Sequence, residues 1–332
     1  METVACHLCG SARSREEFHQ RDLTHGVSGE EFCVVRCEDC DLRYVNPRPT
    51  QAEIGRHYPE AYFDTSPRRR PVSRVKRWVM EDYYGYPQAS SSRAGMGIRK
   101  WALWPEKCLR VLRGRDILPW RGRGRLLDVG CGSGVNLASL LDQGWDVYGL
   151  DNSRVAVDAA RKSFGDRVRL GELHQAPFDD GFFDVVLFSH TLEHLYDPLA
   201  VLTEARRILA DDGMVVITLP NAAGWEARLF GRWWFPWELP RHLYHFERAT
   251  LGRFLARAGF RGVRWRTGVG SLFFMSSLDR VWRRNCRGSV PVRKFVEKLI
   301  ARPFCLVAGH LGHGTELTVY AVKEPSGPAG PA

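Results

Sequence analysis

Leu126-Leu127-Asp128-Val129-Gly130-Cys131-Gly132-Ser133-Gly134 is a short apolar strand running into three glycines spaced two apart, and an amphipathic stretch, Val135 to Leu141, follows it. A strand, a glycine turn and a helix in that order leave bare backbone and a helix N-terminus facing one point. Such a point suits a nucleotide-like ligand, because glycine lets the ligand approach the main chain and free N–H groups point at it. The dinucleotide fingerprint G-x-G-x-x-G would need a third glycine where Val135 stands. It would also set a pyrophosphate beside Asp128, a carboxylate that repels phosphate and attracts an ammonium group.

The next strand, Trp145 to Leu150, ends in Asp151, which can accept hydrogen bonds from both hydroxyls of a ribose. A ligand with a ribose, a cationic amino-acid end and no pyrophosphate fits both carboxylates. S-adenosylmethionine is such a ligand, and it is expected here ahead of NAD. Downstream, Asp151 to Phe164 reads as a helix with Val155, Ala156, Ala159 and Ala160 as its apolar positions, Arg167 to Leu170 as a short strand, and Phe183 to Phe188 as a buried parallel strand. Asp197 to Leu209 reads as a helix and Met214 to Leu219 as a further strand. Strands alternating with helices imply a parallel sheet covered on both faces, with ligands beyond the carboxyl ends of the strands. The expected cofactor contacts are therefore Asp128, Gly130, Cys131, Gly132 and Gly134, then Asp151 and Asn152, Glu172 and Leu173, and Ser189 and His190.

These residues resemble the class I S-adenosylmethionine-dependent methyltransferases, most of all those similar to the ubiquinone-biosynthesis O-methyltransferases and the methyltransferases of bacterial glycan gene clusters. The resemblance runs from about Arg125 to Lys323. Besides the glycine turn it rests on Gly149-Leu150-Asp151, Phe183-Asp184-Val185-Val186, Leu192-Glu193-His194-Leu195-Tyr196-Asp197-Pro198, Leu219-Pro220-Asn221, Pro240-Arg241-His242-Leu243-Tyr244-His245-Phe246 and Ala258-Gly259-Phe260. It implies an α/β, Rossmann-like, doubly wound seven-stranded sheet whose last strand, Glu316 to Val322, inserts antiparallel. Glu172 departs from the aspartate common at its position in the family.

Ahead of this domain, Cys6-His7-Leu8-Cys9 and Cys37-Glu38-Asp39-Cys40 form two C-x2-C knuckles. Four thiolates around one tetrahedral ion read as a structural Zn2+ site, Cys6, Cys9, Cys37 and Cys40, with no coordination position left open for water. Cys33 and His7 are alternative ligands. Val45-Asn46-Pro47-Arg48-Pro49 and Tyr58-Pro59-Glu60-Ala61-Tyr62 look like the zinc-knuckle prefix of some glycan-pathway methyltransferases. The domains expected are a zinc-ribbon-like module at 1–63, a basic aromatic helical linker at 64–120, the methyltransferase domain at 121–323 with a helical insertion at about 271–311, and a disordered tail at 324–332. Nine cysteines with knuckle spacing and no leader-like start fit a reducing cytoplasm.

Charge is uneven. Residues 1–65 carry −5, 66–125 carry +12, 126–260 carry −5 and 261–332 carry +8, giving the overall +10. The linker adds Trp78, Tyr83, Tyr84, Tyr86, Trp101 and Trp104, and Val72, Val75, Val79 and Asp82–Tyr83 follow helical spacing. A basic amphipathic helix there can cap a site, lie on an anionic membrane, bind a polyanion or be a solvated linker. In the insertion, Leu272-Phe273-Phe274-Met275 and Phe295 to Leu311 are apolar pieces flanked by Arg280, Arg283, Arg284, Arg287, Arg293, Lys294 and Arg302. They read as helices over a substrate pocket, or as a peripheral contact with a membrane or a lipid-linked substrate. No apolar run approaches the roughly 20 residues of a membrane span.

Methyl transfer to a hydroxyl needs alignment and a base. The histidines at hand are His190 and His194, and His242 and His245; His190, His242 and Arg241 are the expected catalytic residues, with Glu193 and His194 read as structural. A metal pair at His190 and His194 is not expected, since H-E-x-x-H and a third ligand are both missing. Trp233, Trp234, Phe235, Trp237 and Tyr244 surround Arg241, and they suit a sugar or phenol acceptor bearing a phosphate or carboxylate, or simply bury the loop. A small-molecule or glycan acceptor is expected. RNA is the alternative, given a zinc ribbon with basic segments. Ser189-His190-Thr191-Leu192 stands where amino-methylating enzymes carry Asn/Asp-Pro-Pro-aromatic, which weighs against it. A degenerate scaffold is disfavoured by intact Asp128, Gly130, Gly132 and Asp151.

Overall fold

The computed structural model describes residues 1–59, 71–87, 96–114, 117–285 and 290–324. The expected boundary at residues 63 and 64, the run Glu60-Ala61-Tyr62, Arg287 and the tail beyond Glu324 fall outside these. In chain order the strands are β1 (Ser14–Arg21), β2 (Glu31–Cys37), β3 (Arg43–Val45), β4 (Arg125–Val129), β5 (Asp146–Asp151), β6 (Val168–Leu170), β7 (Phe183–Ser189), β8 (Leu209–Pro220), β9 (Tyr244–His245), β10 (Phe260–Thr267) and β11 (Glu316–Lys323). The α-helices are α1 (Arg74–Tyr84), α2 (Met96–Leu112), α3 (Val135–Asp142), α4 (Arg154–Phe164), α5 (Pro198–Ile208), α6 (Trp225–Phe230), α7 (Arg248–Arg257), α8 (Leu272–Asn285), α9 (Val290–Val296) and α10 (Arg302–His310).

The expected seven-stranded sheet is present in the order β10-β11-β8-β7-β4-β5-β6. β4 runs parallel to β5 and β5 to β6, whereas β11 lies antiparallel to β10. Apolar runs make these strands. Leu126, Leu127 and Val129 of β4, and Phe183, Val185, Val186 and Phe188 of β7, are all buried, as strands covered on both faces must be. β8 begins five residues earlier than its apolar run, at Leu209 rather than Met214.

Two compact units divide the chain: Met1–Phe63, Phe188–Arg207 and Val215–Ala332 in one, Asp64–Leu187 and Ile208–Met214 in the other. In the second, the helices follow their sequence signals. Ser153 caps α4 by accepting from the Ala156 amide (3.3 Å), and Ala156, Val157 and Ala160 turn inward. α1 covers the expected basic amphipathic stretch and buries Val79, Met80 and Tyr84, and its Asp82 pairs with Arg99 of α2.

In the first unit, the strands of the cysteine-bearing residues join a sheet with a strand from far down the chain. β3 pairs antiparallel with β9, Arg43 opposite His245 and Tyr44 opposite Tyr244, so the sheet β1-β2-β3-β9 takes one strand from far down the chain. Phe32, Val34 and Val45 share a buried cluster with Ala222, Ala227, Trp234, Trp237 and Leu239. Four small strands cannot bury a core of their own, and the aromatic loop supplies it.

Candidate active site

The glycine turn follows β4 directly. Gly130 and Cys131 donate their amides to the Leu150 carbonyl (2.7 and 3.1 Å), Gly132 donates to Asp151 Oδ2 (2.8 Å) and Gly134 to the Cys131 carbonyl (3.0 Å). The free N–H groups expected at the turn are thus tied within it. What the turn offers is room and charge. Gly132 has φ +54° and nothing within 4 Å of where a Cβ would stand; Gly134, at φ +87°, packs so closely on Phe164 that a Cβ would come within 2.7 Å of its ring.

Asp128 lies under that opening with 0% exposure; neither carboxylate oxygen has a partner at full hydrogen-bond geometry among the described residues, and the Asn136 side chain gives it only a weak polar contact. Burial first, and the charge of Asp151 second, push its carboxyl up to about 7. A carboxylate so weakly met in a dry recess calls for a cation, and the ammonium end of S-adenosylmethionine fits that demand. Asp151 braces the turn through Gly132 and accepts from the Ser153 amide (2.8 Å) through Oδ1, which leaves each oxygen one further lone pair for a ribose. Asn152 beside it is exposed. The Gly171 amide bonds to the Asp151 carbonyl (2.9 Å), which sets Glu172 and buried Leu173 at the end of β6; the Glu172 carboxylate lies 3.5 Å from His174.

The histidines gather in the other unit. His190 follows Ser189, the last residue of β7, with φ +53°, and its amide bonds to the Thr218 carbonyl (2.8 Å). Its ring stands between Glu193 (Nδ1 to Oε1, 3.6 Å) and Glu316 (Nε2 to Oε1, 3.0 Å). Burial opposes its charge, but the two carboxylates outweigh burial and push it up to about 10. The two carboxylates favour the charged form of the His190 ring. His194 Nδ1 faces the Arg241 carbonyl (3.0 Å) and the Tyr58 hydroxyl (3.2 Å), and burial with the nearby charge of His242 pushes it down to about 4. His242 Nδ1 faces the Pro236 carbonyl (2.7 Å), its Nε2 lies 3.6 Å from Glu238, and its ring meets that of His194 edge-on at 4.6 Å. His245 is buried beside Trp237. Glu193, only 1% exposed, has no hydrogen-bond partner on either oxygen. Burial works to raise its carboxyl, yet His190, His242 and His194 hold it below the ordinary carboxylate range.

Arg241, expected to meet the acceptor, is buried at 0% exposure. It holds both oxygens of Asp22 (2.8 and 2.9 Å), the His57 carbonyl (2.8 Å) and Glu238 (3.2 Å). The bidentate fork makes it a strut between β1 and the loop before β9. Trp234, Trp237 and Tyr244 are buried too, so of the two readings of the aromatic loop, packing describes them. Asp22 had no motif to mark it, and Tyr58 was singled out only as part of the Tyr58–Tyr62 run, not as a partner of His194. Glu238 had one, its place four residues before His242.

Cys6, Cys9, Cys37 and Cys40 bring their sulfurs within 4.8 Å of one another, with Cys6 to Cys40 at 3.4 Å and Cys9 to Cys37 at 3.5 Å. Four converging thiols fit a tetrahedral Zn2+. Neither alternative ligand joins them: His7 Nδ1 is bonded to the Tyr244 hydroxyl, and Cys33 points to the Val34 carbonyl. Arg253 and Arg257 of α7 donate to the Cys40 and Leu8 carbonyls, clamping both knuckles.

Comparison with known proteins agrees with the glycine turn. Residues 102–264, just under half of the chain, match the methyltransferase domain family. A probable S-adenosylmethionine-dependent methyltransferase of Mycolicibacterium smegmatis is 32% identical over 148 residues, covering 43% of this chain and 54% of its own. A ubiquinone biosynthesis O-methyltransferase of Actinobacillus pleuropneumoniae is 26% identical over 136 residues (37% and 58%). An uncharacterised 37.1 kDa protein from a transposon of Streptomyces fradiae is 34% identical over 113 residues (32% and 33%). The chain thus spans about a third to just over half the length of these relatives. Among solved structures, the geranyl diphosphate C-methyltransferase of Streptomyces coelicolor aligns with a TM-score of 0.44 at 14% identity, over 76% of this chain and 100% of that one. The matched segment is thus similar to methyltransferase domains, and the relatives that share it include proteins named as S-adenosylmethionine-dependent methyltransferases.

Proposed function

We propose that the whole chain is an S-adenosylmethionine-dependent methyltransferase that methylates an oxygen of a small molecule, or of a glycan or lipid-linked intermediate. The observation that carries this reading is Asp128, a buried carboxylate with no partner at full hydrogen-bond geometry beneath an open glycine turn. The cofactor supplies a methyl group already activated on a sulfonium, so the protein's part is alignment and the exclusion of water. Asp128 anchors the ammonium, Gly132 leaves the main chain approachable, and Asp151 holds the ribose hydroxyls while it braces the turn. Oxygen is favoured as acceptor because curated relatives include ubiquinone biosynthesis O-methyltransferases. Quinone-pathway names recur among the relatives, and none of these names supports the RNA alternative. Cys6, Cys9, Cys37 and Cys40 hold a structural Zn2+, which suits a reducing, cytoplasmic setting.

Calorimetry with the full chain tests the donor. S-adenosylmethionine is expected to bind and NAD to give no heat. Asp128→Asn is expected to weaken S-adenosylmethionine at least tenfold, the scale of about 1.4 kcal/mol for one charge-assisted contact. Binding of NAD in place of S-adenosylmethionine would overturn the reading.

A further inference from the structure

We propose that Glu193, His194 and His242 form a second metal site, for a divalent transition ion of the Zn2+ class, separate from the four cysteines. Three residues from two segments present one ligand atom each within 4.8 Å of one another. The set is two imidazoles and a carboxylate, a donor combination that favours Zn2+, Fe2+ or Mn2+ over Ca2+.

Two independent features point to an ion. Glu193 is an almost fully buried carboxylate whose oxygens both lack hydrogen bonds; the nearest cation is His190 Nδ1, at 3.6 Å from Oε1. His190 meets this charge at that longer distance only, and an ion held by the three ligand atoms would meet it at direct coordination distance. The histidines are also set as metal ligands usually are. A carbonyl can only accept, so the Pro236 carbonyl fixes the proton of His242 on Nδ1, and the Arg241 carbonyl does the same for His194. In the neutral form each ring then carries its lone pair on Nε2, that of His242 lying 3.6 Å from Glu238 Oε2, so an ion would take the place of the proton His242 otherwise shares with that carboxylate. The supporting carbonyls are themselves held: Arg241 by the Asp22 fork, and Pro236 in the single turn Phe235–Trp237 packed on the N-terminal sheet. An ion at about 2.0–2.2 Å from each donor draws the three atoms to about 3.4 Å apart, within reach of side-chain rotation.

Three protein ligands leave a coordination position open, unlike the closed four-cysteine set. That position suits an oxygen of the acceptor; this role rests on the proposed methyl transfer, but the existence of the site does not.

Metal counting on the full-length protein tests it. Equilibrium dialysis against micromolar Zn2+, followed by elemental mass spectrometry, is expected to give two ions per unaltered chain. Glu193→Gln, which keeps the shape and removes the charge, and His242→Ala are each expected to give one, with unchanged circular dichroism. Substituting Co2+ adds a signature independent of any variant: the second equivalent is expected to show a ligand-field band without thiolate-to-cobalt charge transfer. One ion per unaltered chain would overturn the site and identify the three residues as a buried network with Glu238 and His190. So would two ions in both folded variants, or a second cobalt equivalent bearing the thiolate band. None of these readings uses S-adenosylmethionine, so loss of the site leaves the methyltransferase proposal standing, and failure of cofactor binding leaves the ion count untouched.

Discussion

Asp128 is the side chain on which the proposed cofactor binding and the stability of the fold meet. Its carboxyl sits at about 7 in the folded chain against 3.8 as an ordinary aspartate, chiefly through burial. An acid raised on folding keeps its proton longer in the folded state. Its contribution to stability is therefore complete below about pH 4 and is lost as pH climbs through 7, by at most about 4 kcal/mol. Asp128→Asn removes that loss. The cofactor-free variant is expected to melt higher than the unaltered chain at pH 8 and to approach it only at about pH 4 and below; equal melting at pH 8 would refute this. The ammonium of the cofactor demands the ionised form, so affinity of the unaltered chain is expected to rise from pH 6 to 8, with proton uptake by buffer visible in calorimetry. The turn around this residue was legible in the sequence because glycine spacing and strand-end acids are local. That its amides are tied to Leu150 and Asp151 was not, since those bonds depend on the register of β4 against β5.

At the scale of elements, strands and helices of the sheet were readable from apolar runs and caps, and their ends fell within a few residues. A helical insertion was expected at about 271–311, without the bounds of its helices. In the structure α9 passes through a π-helical turn, Glu297–Ala301, into α10, and it leaves Phe295 (61%), Leu299 (56%), Ile300, Val307 and Leu311 exposed beside Lys294, Lys298 and Arg302. Under the proposed lipid-linked acceptor, exposed apolar side chains beside Lys294, Lys298 and the Arg302–Glu297 pair would lie on an anionic bilayer surface. Among the described residues no helix is long and apolar enough to cross a membrane. Full-length protein is expected to co-sediment with vesicles containing phosphatidylglycerol at low salt and much less with neutral ones, and Leu299→Glu with Ile300→Glu is expected to abolish it. Equal recovery in both supernatants would dismiss the membrane contact.

For the molecule as a whole, the Asp22–Arg241 fork joins residues 219 positions apart, and no sequence pattern announces such a pair. Arg241 looked like a substrate contact because it stands in a motif with His242; its burial came from β1, whose partner could not be read locally. Both side chains are fully buried, so removing one leaves the other charged and dry. Asp22→Asn is expected to cost about 3–5 kcal/mol in urea unfolding, and Asp22→Asn with Arg241→Met appreciably less than the sum of the two single changes. A single-variant cost below about 1 kcal/mol would mean that the fork is not the strut described.

The pairing of β3 with β9 also sets an order in time. Arg43 and Tyr44 leave the ribosome about 200 residues before His245 and Tyr244 exist to meet them. Strand pairing at such sequence separation forms late, after the loop-closure entropy of the intervening chain is overcome. Until the chain has been made through β9, the small sheet keeps an unpaired edge, and Phe32, Val34 and Val45 lack Trp234 and Trp237, which cover them in the folded protein. A sheet made early and completed late is exposed to edge pairing during synthesis.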